Sequence, residues 1–125
     1  MDYLNKLILA QDTNDDVHKN GVFVFIKLSD DDMGDGADDD EIYALEERLA
    51  EAIEKADAGE FDGDEWGGGY CQFFMYGKDA DKLFAAIGPV LLANTNLSIT
   101  HAVRRYGPLG GPEQVVRFSS NDVGQ

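Results

Sequence analysis

Two hydrophobic rhythms take turns along this chain, one of period two and one of three to four residues. In Gly21–Leu28, Val22, Val24, Ile26 and Leu28 fall on one side of a strand and Phe23 and Phe25 on the other. A strand apolar on both sides suits the interior of a sheet. From Asp39 to about Ala58 the period lengthens. Ile42, Leu45, Leu49, Ala52, Ile53 and Ala56 recur in helical steps, with Glu46, Glu47, Glu51, Glu54 and Lys55 on the opposite side. This pattern predicts an amphipathic helix. Asp38 stands at its N-cap with Glu41 at the capping-box spacing, and Gly59 where a C-terminal glycine belongs.

Period two then returns. Glu60–Glu65 is short and charged, as an edge strand should be. In Tyr70–Tyr76, Tyr70, Gln72, Phe74 and Tyr76 alternate with Cys71, Phe73 and Met75, so this strand too is rich on both faces. Between them Gly67-Gly-Gly69 predicts a wide turn whose glycines accept positive φ. A second helix opens near Asp79 and presents Ala80, Leu83, Phe84 and Ile87; Gly88-Pro89 is expected to end or kink it before a last turn over Val90–Leu92. Ser98–Tyr106 reads as a strand, Gly107–Pro112 as a turn and Glu113–Phe118 as a closing strand. The expected domain spans 21–118. Ahead of it lies a segment, 1–20, with Leu4, Leu7 and Ile8 on one face of a candidate short helix; after it comes a polar tail, 119–125.

The string β-α-β-β-α-β with one added strand predicts an α+β, ferredoxin-like sandwich: an antiparallel sheet with both helices on one face. In that arrangement the first and third strands are central, and these are the two that are apolar on both sides. Their aliphatic residues should meet the helices. Phe23 and Phe25 then lie beside Tyr70, Phe74 and Tyr76 on the open face, with Phe25 and Phe74 as neighbours. An aromatic face of that size calls for a cover, whether a second copy, the N-terminal segment or a ligand.

Charge changes the picture in one region. The formal net charge is -15, yet residues 30–65 hold 17 acidic and 2 basic side chains, while the other 89 residues hold 8 of each. Such a field repels nucleic acid and anionic lipid and attracts cations or a basic protein surface. The fold should bring Asp30–Asp35 and Asp62–Glu65 together at one edge. Asp30, Asp32, Asp35, Asp62 and Asp64 are therefore the candidate ligands for a hard cation. The EF-hand spacing fails from either Asp30 or Asp31, so a solvated acidic edge is the plainer reading.

Candidate chemistry is sparse. His18 and His101 stand apart from any nucleophile motif, and no Walker loop, zinc spacing or Ser-His-Asp order occurs. The open face has aromatics, as RNA-reading sheets do, but lacks their consensus and carries the wrong charge. One cysteine, Cys71, allows no internal disulfide, which accords with a reducing cytoplasm. No apolar run approaches the roughly 20 residues of a membrane span, and the N-terminus is not a secretory signal. The expectation is a non-enzymatic, cofactor-free cytoplasmic module that docks a basic protein through Asp62, Asp64, Glu65 and Trp66. The alternative is a homodimeric small-ligand-binding or regulatory domain using Phe23, Phe25 and Phe74 on the open face.

One stretch also carries a resemblance. Gly59-Glu-Phe-Asp-Gly-Asp-Glu-Trp-Gly-Gly-Gly69, then Met75-Tyr-Gly77 and Asp79-Ala-Asp81 entering a helix, resembles a group of small acidic bacterial proteins of unknown function with a ferredoxin-like fold. The likeness spans roughly residues 59–92. It implies a bacterial cytoplasmic protein and carries over no catalytic residue. In size, acidity and lack of catalytic motifs the chain is also similar to immunity proteins that neutralise bacterial toxins.

If the acidic edge is only solvated, millimolar calcium should raise the melting temperature slightly, through screening. A site held at a hundred times its Kd adds about 2.7 kcal/mol. A large shift, reversed by chelator and absent from Asp32→Asn, would establish a metal site instead.

Overall fold

Val22, Val24 and Ile26 are fully buried between two neighbouring strands and two helices, and the architecture is built outward from them. In the computed structural model, which describes residues 20–29 and 38–118, they belong to β1 (Asn20–Lys27). The chain continues through α1 (Asp39–Ala56), β2 (Glu60–Gly67), β3 (Tyr70–Gly77), α2 (Ala80–Ala93), β4 (Ser98–Arg105) and β5 (Glu113–Arg117). The described strands form one sheet in the order β2-β3-β1-β4-β5, every neighbouring pair antiparallel. This is a ferredoxin-like α+β sandwich with one strand added at the β4 edge.

Alternation assigns the faces. Val22, Val24 and Ile26 of β1 and Cys71, Phe73 and Met75 of β3 lie under the helices. They meet Ile42, Leu45, Leu49 and Ile53 from α1 and Leu83, Ile87 and Leu91 from α2 in one core. Burying each such aliphatic or aromatic side chain is worth about 1.5–3 kcal/mol. Their even spacing along both helices is what orients the outer, charged side of α1 to water. Among the described residues no helix is long and apolar enough to cross a membrane.

Several local details depart from the sequence reading. Asp38 does not cap α1: its backbone is already helical and its carboxylate reaches away, accepting from Ser29 N at 2.7 Å and Ser29 Oγ at 3.0 Å. A tie between the end of β1 and the start of α1 has displaced the local cap. At the other end of α1 the left-handed residue is Asp57, not Gly59. Asp57 N–H donates to the Glu54 carbonyl and Ala58 N–H to that of Ile53, the Schellman pattern, with Ala58 and Ile53 both in the core.

Gly59 has another task. It has φ 146°, and a Cβ there would collide with the Tyr76 carbonyl; one on Gly77 would collide with the Ala58 carbonyl. The backbones leaving α1 and β3 pass too closely for side chains. The expected wide turn is a tight one: Gly68 and Gly69, with φ 64° and 83°, form a two-residue hairpin loop between Gly67 and Tyr70. α2 opens at Asp79 as expected, with the Asp79 carboxylate accepting from Asp81 N and Lys82 N, and it continues through Gly88-Pro89 to Ala93.

The candidate helix at Leu4–Ile8, the Asp30–Asp35 run and the tail from 119 lie outside the described residues. Gly59→Ala should cost at least about 2 kcal/mol, from φ strain and the carbonyl clash together. Asp57→Gly, by contrast, relieves a left-handed non-glycine residue and should be neutral or stabilising. Urea melts of the pair test this; equal destabilisation would mean that the cap, not the close approach, is what holds the corner.

Candidate functional site

On the face away from the helices the registers align side chains in rows across the sheet. One row is Glu65, Gln72, Phe25, His101 and Arg117, one residue from each strand in spatial order. The next is Gly63, Phe74, Phe23, Val103 and Val115. Phe23 therefore faces Phe74 directly, edge to face with centroids 5.7 Å apart, and Phe25 lies diagonal to Phe74 with Gln72 and His101 at its sides. Phe25 and Phe74 are thus diagonal neighbours on one face, in adjacent rows rather than directly opposite. At the far end Arg105, 4% exposed, sits over the rings of Phe23 and Tyr76.

A concavity of about 520 Å³ opens at the turn end of this face. Phe25, Tyr70, Gln72, His101, Glu65, Gly67 and Trp66 line it. The volume is that of a small-molecule site. Phe25 and His101 stack with centroids 4.4 Å apart and planes within 6°. Tyr70 is among the more exposed rings, and the Lys27 ammonium lies 5.8 Å from its centroid. Thr100 sits at a one-residue slip between β1 and β4, and its hydroxyl donates to the Phe25 carbonyl at 3.2 Å. Thr100 Oγ1 is also hydrogen-bonded to His101 Nδ1 at 2.8 Å, which fixes the orientation of the imidazole. Burial, and then Arg117, push the His101 pKa down, so the ring is neutral near pH 7.

A second cluster lies on the opposite face, between β2 and α1. Trp66 Nε1 donates to Asp64 Oδ1 at 3.2 Å, and the Trp66 ring packs 6.1 Å from that of Tyr43 on α1. Glu46 comes down from α1 onto Asp64. Among the described residues nothing donates to the buried Glu46 Oε2. Burial first, and then the hydrogen bond and charge of Asp64, push the Glu46 pKa up to about 8. Glu46 therefore keeps its proton at neutral pH. Cys71, fully buried beside them, has its thiol pushed up to about 12 by burial and by the nearby acids, so it is not a nucleophile.

The residues singled out in the sequence are therefore dispersed. Asp30, Asp32 and Asp35 lie outside the described residues. Asp62, Asp64 and Glu65 do not share one surface: Asp62 is exposed at a register slip in β2, Asp64 turns under α1, and Glu65 is exposed on the open face. The slip explains the division. Phe61 pairs with Met75 but Gly63 with Phe74, so one extra residue reverses the alternation and sends Asp64 and Trp66 to the helix side. Trp66 packs against the core there rather than projecting from the sheet edge. Phe23, Phe25 and Phe74 share the open face, each half-buried. Tyr70, Gln72 and His101 were not picked out as site residues; alternation in β3 placed the first two on the right face, but only the register joins them to His101.

Among the described residues no group of three or more His, Cys, Asp or Glu side chains forms a metal-binding cluster. Comparison with protein-family models, with curated proteins and with solved structures finds no match to this chain.

Because Glu46 is raised from its ordinary 4.5 to about 8, the folded state binds a proton that the unfolded chain releases across that interval. Its share of stability is whole below pH 4.5 and is lost progressively up to about 8. Glu46→Gln should flatten this slope and remove a pH-dependent change in Trp66 emission near pH 8. An unchanged emission titration in the variant would show that the proton resides elsewhere.

Proposed function

We propose that this domain is a non-enzymatic binding module whose ligand site is the concavity on the open face. The observation that carries the reading is the row Glu65–Gln72–Phe25–His101, which floors an apolar hollow with a few polar groups at its rim. Small-molecule sites have this composition. Binding rather than turnover is supported by the side chains themselves. His101 is stacked on Phe25 with its Nδ1 tied to Thr100, and Cys71 is sealed on the other face.

A second reading, docking of a basic protein, is supported by a different observation. Glu47, Glu51 and Glu54 on α1, Asp57 just past its end, and Glu60, Asp62 and Glu65 on the edge strand β2 are all exposed. These carboxylates would steer and orient a cationic partner. A bacterial, cytoplasmic and immunity-like role belongs with this reading, supported by the resemblance of the Gly59–Gly69 hairpin and by the acidity of the chain.

The neutral fluorophore aminoanthracene should bind the hollow with enhanced emission. Tyr70→Ala, at a ring already partly exposed, should fold normally and weaken that binding by at least about tenfold, since aromatic contacts dominate such sites. Phe25→Glu should abolish it. Sedimentation of the parent completes the test: a stable dimer that excludes the dye, and that Phe25→Glu converts to folded monomers, would make the face a self-association surface and overturn the ligand reading.

A further inference from the structure

The concavity has a chemical bias that its apolar character conceals. Of the described residues that line it, Glu65 carries the formal charge. The other polar groups are the Gln72 amide, whose oxygen accepts, and His101, hydrogen-bonded to Thr100 through Nδ1. Around them stand flat π faces, Phe25 in its stack with His101 and the partly exposed Tyr70. Electron-rich ring faces favour cations, the more so when water is excluded. A carboxylate at the rim adds charge-assisted, directional hydrogen bonds to N–H donors.

We infer that the open-face site takes a flat organic cation bearing N–H donors, an arylamidine or protonated amino-heterocycle, with its donors on Glu65 and its ring against Phe25 and Tyr70. The inference rests on the ligand-site reading above and narrows it to one class. A contrary element is Lys27, which follows Phe25 on the same face with its ammonium near the Tyr70 ring. The cations nearest an anion there would be Lys27 and, beside His101 in the same row, Arg117; both are exposed and neither lines the hollow, whereas the anion would face the Glu65 carboxylate that does. The cation meets complementary groups on each side, and the chain's net charge of -15 raises its local concentration.

Benzamidine, benzamide and benzoate have nearly one shape and three charges, so they separate charge from fit. Each is competed against aminoanthracene on the whole chain. Benzamidine should displace the dye at about a tenfold lower concentration than benzamide, and benzoate should be the weakest. In Glu65→Gln the preference for benzamidine over benzamide, read as the ratio of their displacing concentrations within that variant, should fall to about twofold. Asp62→Asn, which removes an exposed charge from the same strand but not from the hollow, should keep the preference. Three results overturn the inference while leaving the ligand site standing: equal displacement by all three probes, a preference for benzoate, or the same loss in Asp62→Asn as in Glu65→Gln. Failure of the parent to bind aminoanthracene at all overturns the site itself, and the inference with it.

Discussion

β1 can be stable only between two partners and two covers. Its main-chain groups are engaged on both edges, by β3 and by β4, and its side chains are apolar above and below. Such a strand has no face or edge to offer water. The aliphatic side draws α1 and α2 onto the sheet and so makes the core. Among the described residues no helix covers the aromatic side, and it is there that the concavity forms. Core and candidate site are two sides of one strand.

The hairpin β2–β3 decides which chemistry reaches that site. Its register is pinned at both ends, by the two-residue turn at Gly68 and Gly69 and by the close passage of Gly59 against Tyr76 and Gly77. Between the pins β2 has one residue too many, and the slip at Asp62 absorbs it. Phe61 remains on the core, edge to face with Phe73, while Asp64 and Trp66 also turn inward. Glu65 is left as the carboxylate at the rim of the open face. A strand without the bulge would have exchanged Asp64 with Glu65 and changed the character of both faces.

Two acidic environments result, separated by the thickness of the sheet. Under α1, Glu46 and Asp64 are crowded and partly dehydrated, so one proton is retained at neutral pH. On the open face Glu65 is exposed and charged. The inner pair resembles a structural hydrogen bond in its consequences, joining α1 to the sheet edge through Trp66. The outer carboxylate is available to a ligand or a partner. A uniform acidic edge, the picture suggested by counting charges, conceals this division.

The sequence by itself determined the elements, their order and the fold, because each depends on local period and on which strands can tolerate apolar surfaces on both sides. Val22, Val24 and Ile26 against Phe23 and Phe25, and the three- and four-residue steps from Ile42 to Ile53, are readable without coordinates. Asp79 capped α2 as its position required, since that bond spans only two or three residues. Asp38 did not cap α1, because Ser29, 9 residues earlier, offered two donors at once. The slips at Asp62 and Thr100, the Phe25–His101 stack and the pairing of Glu46 with Asp64 were likewise decided by the tertiary structure. Their energies come from contacts between elements far apart in sequence, and strand alternation gives no sign of where it will skip a residue. The aromatic face was therefore legible in the chain, while the site upon it depended on the register of four strands.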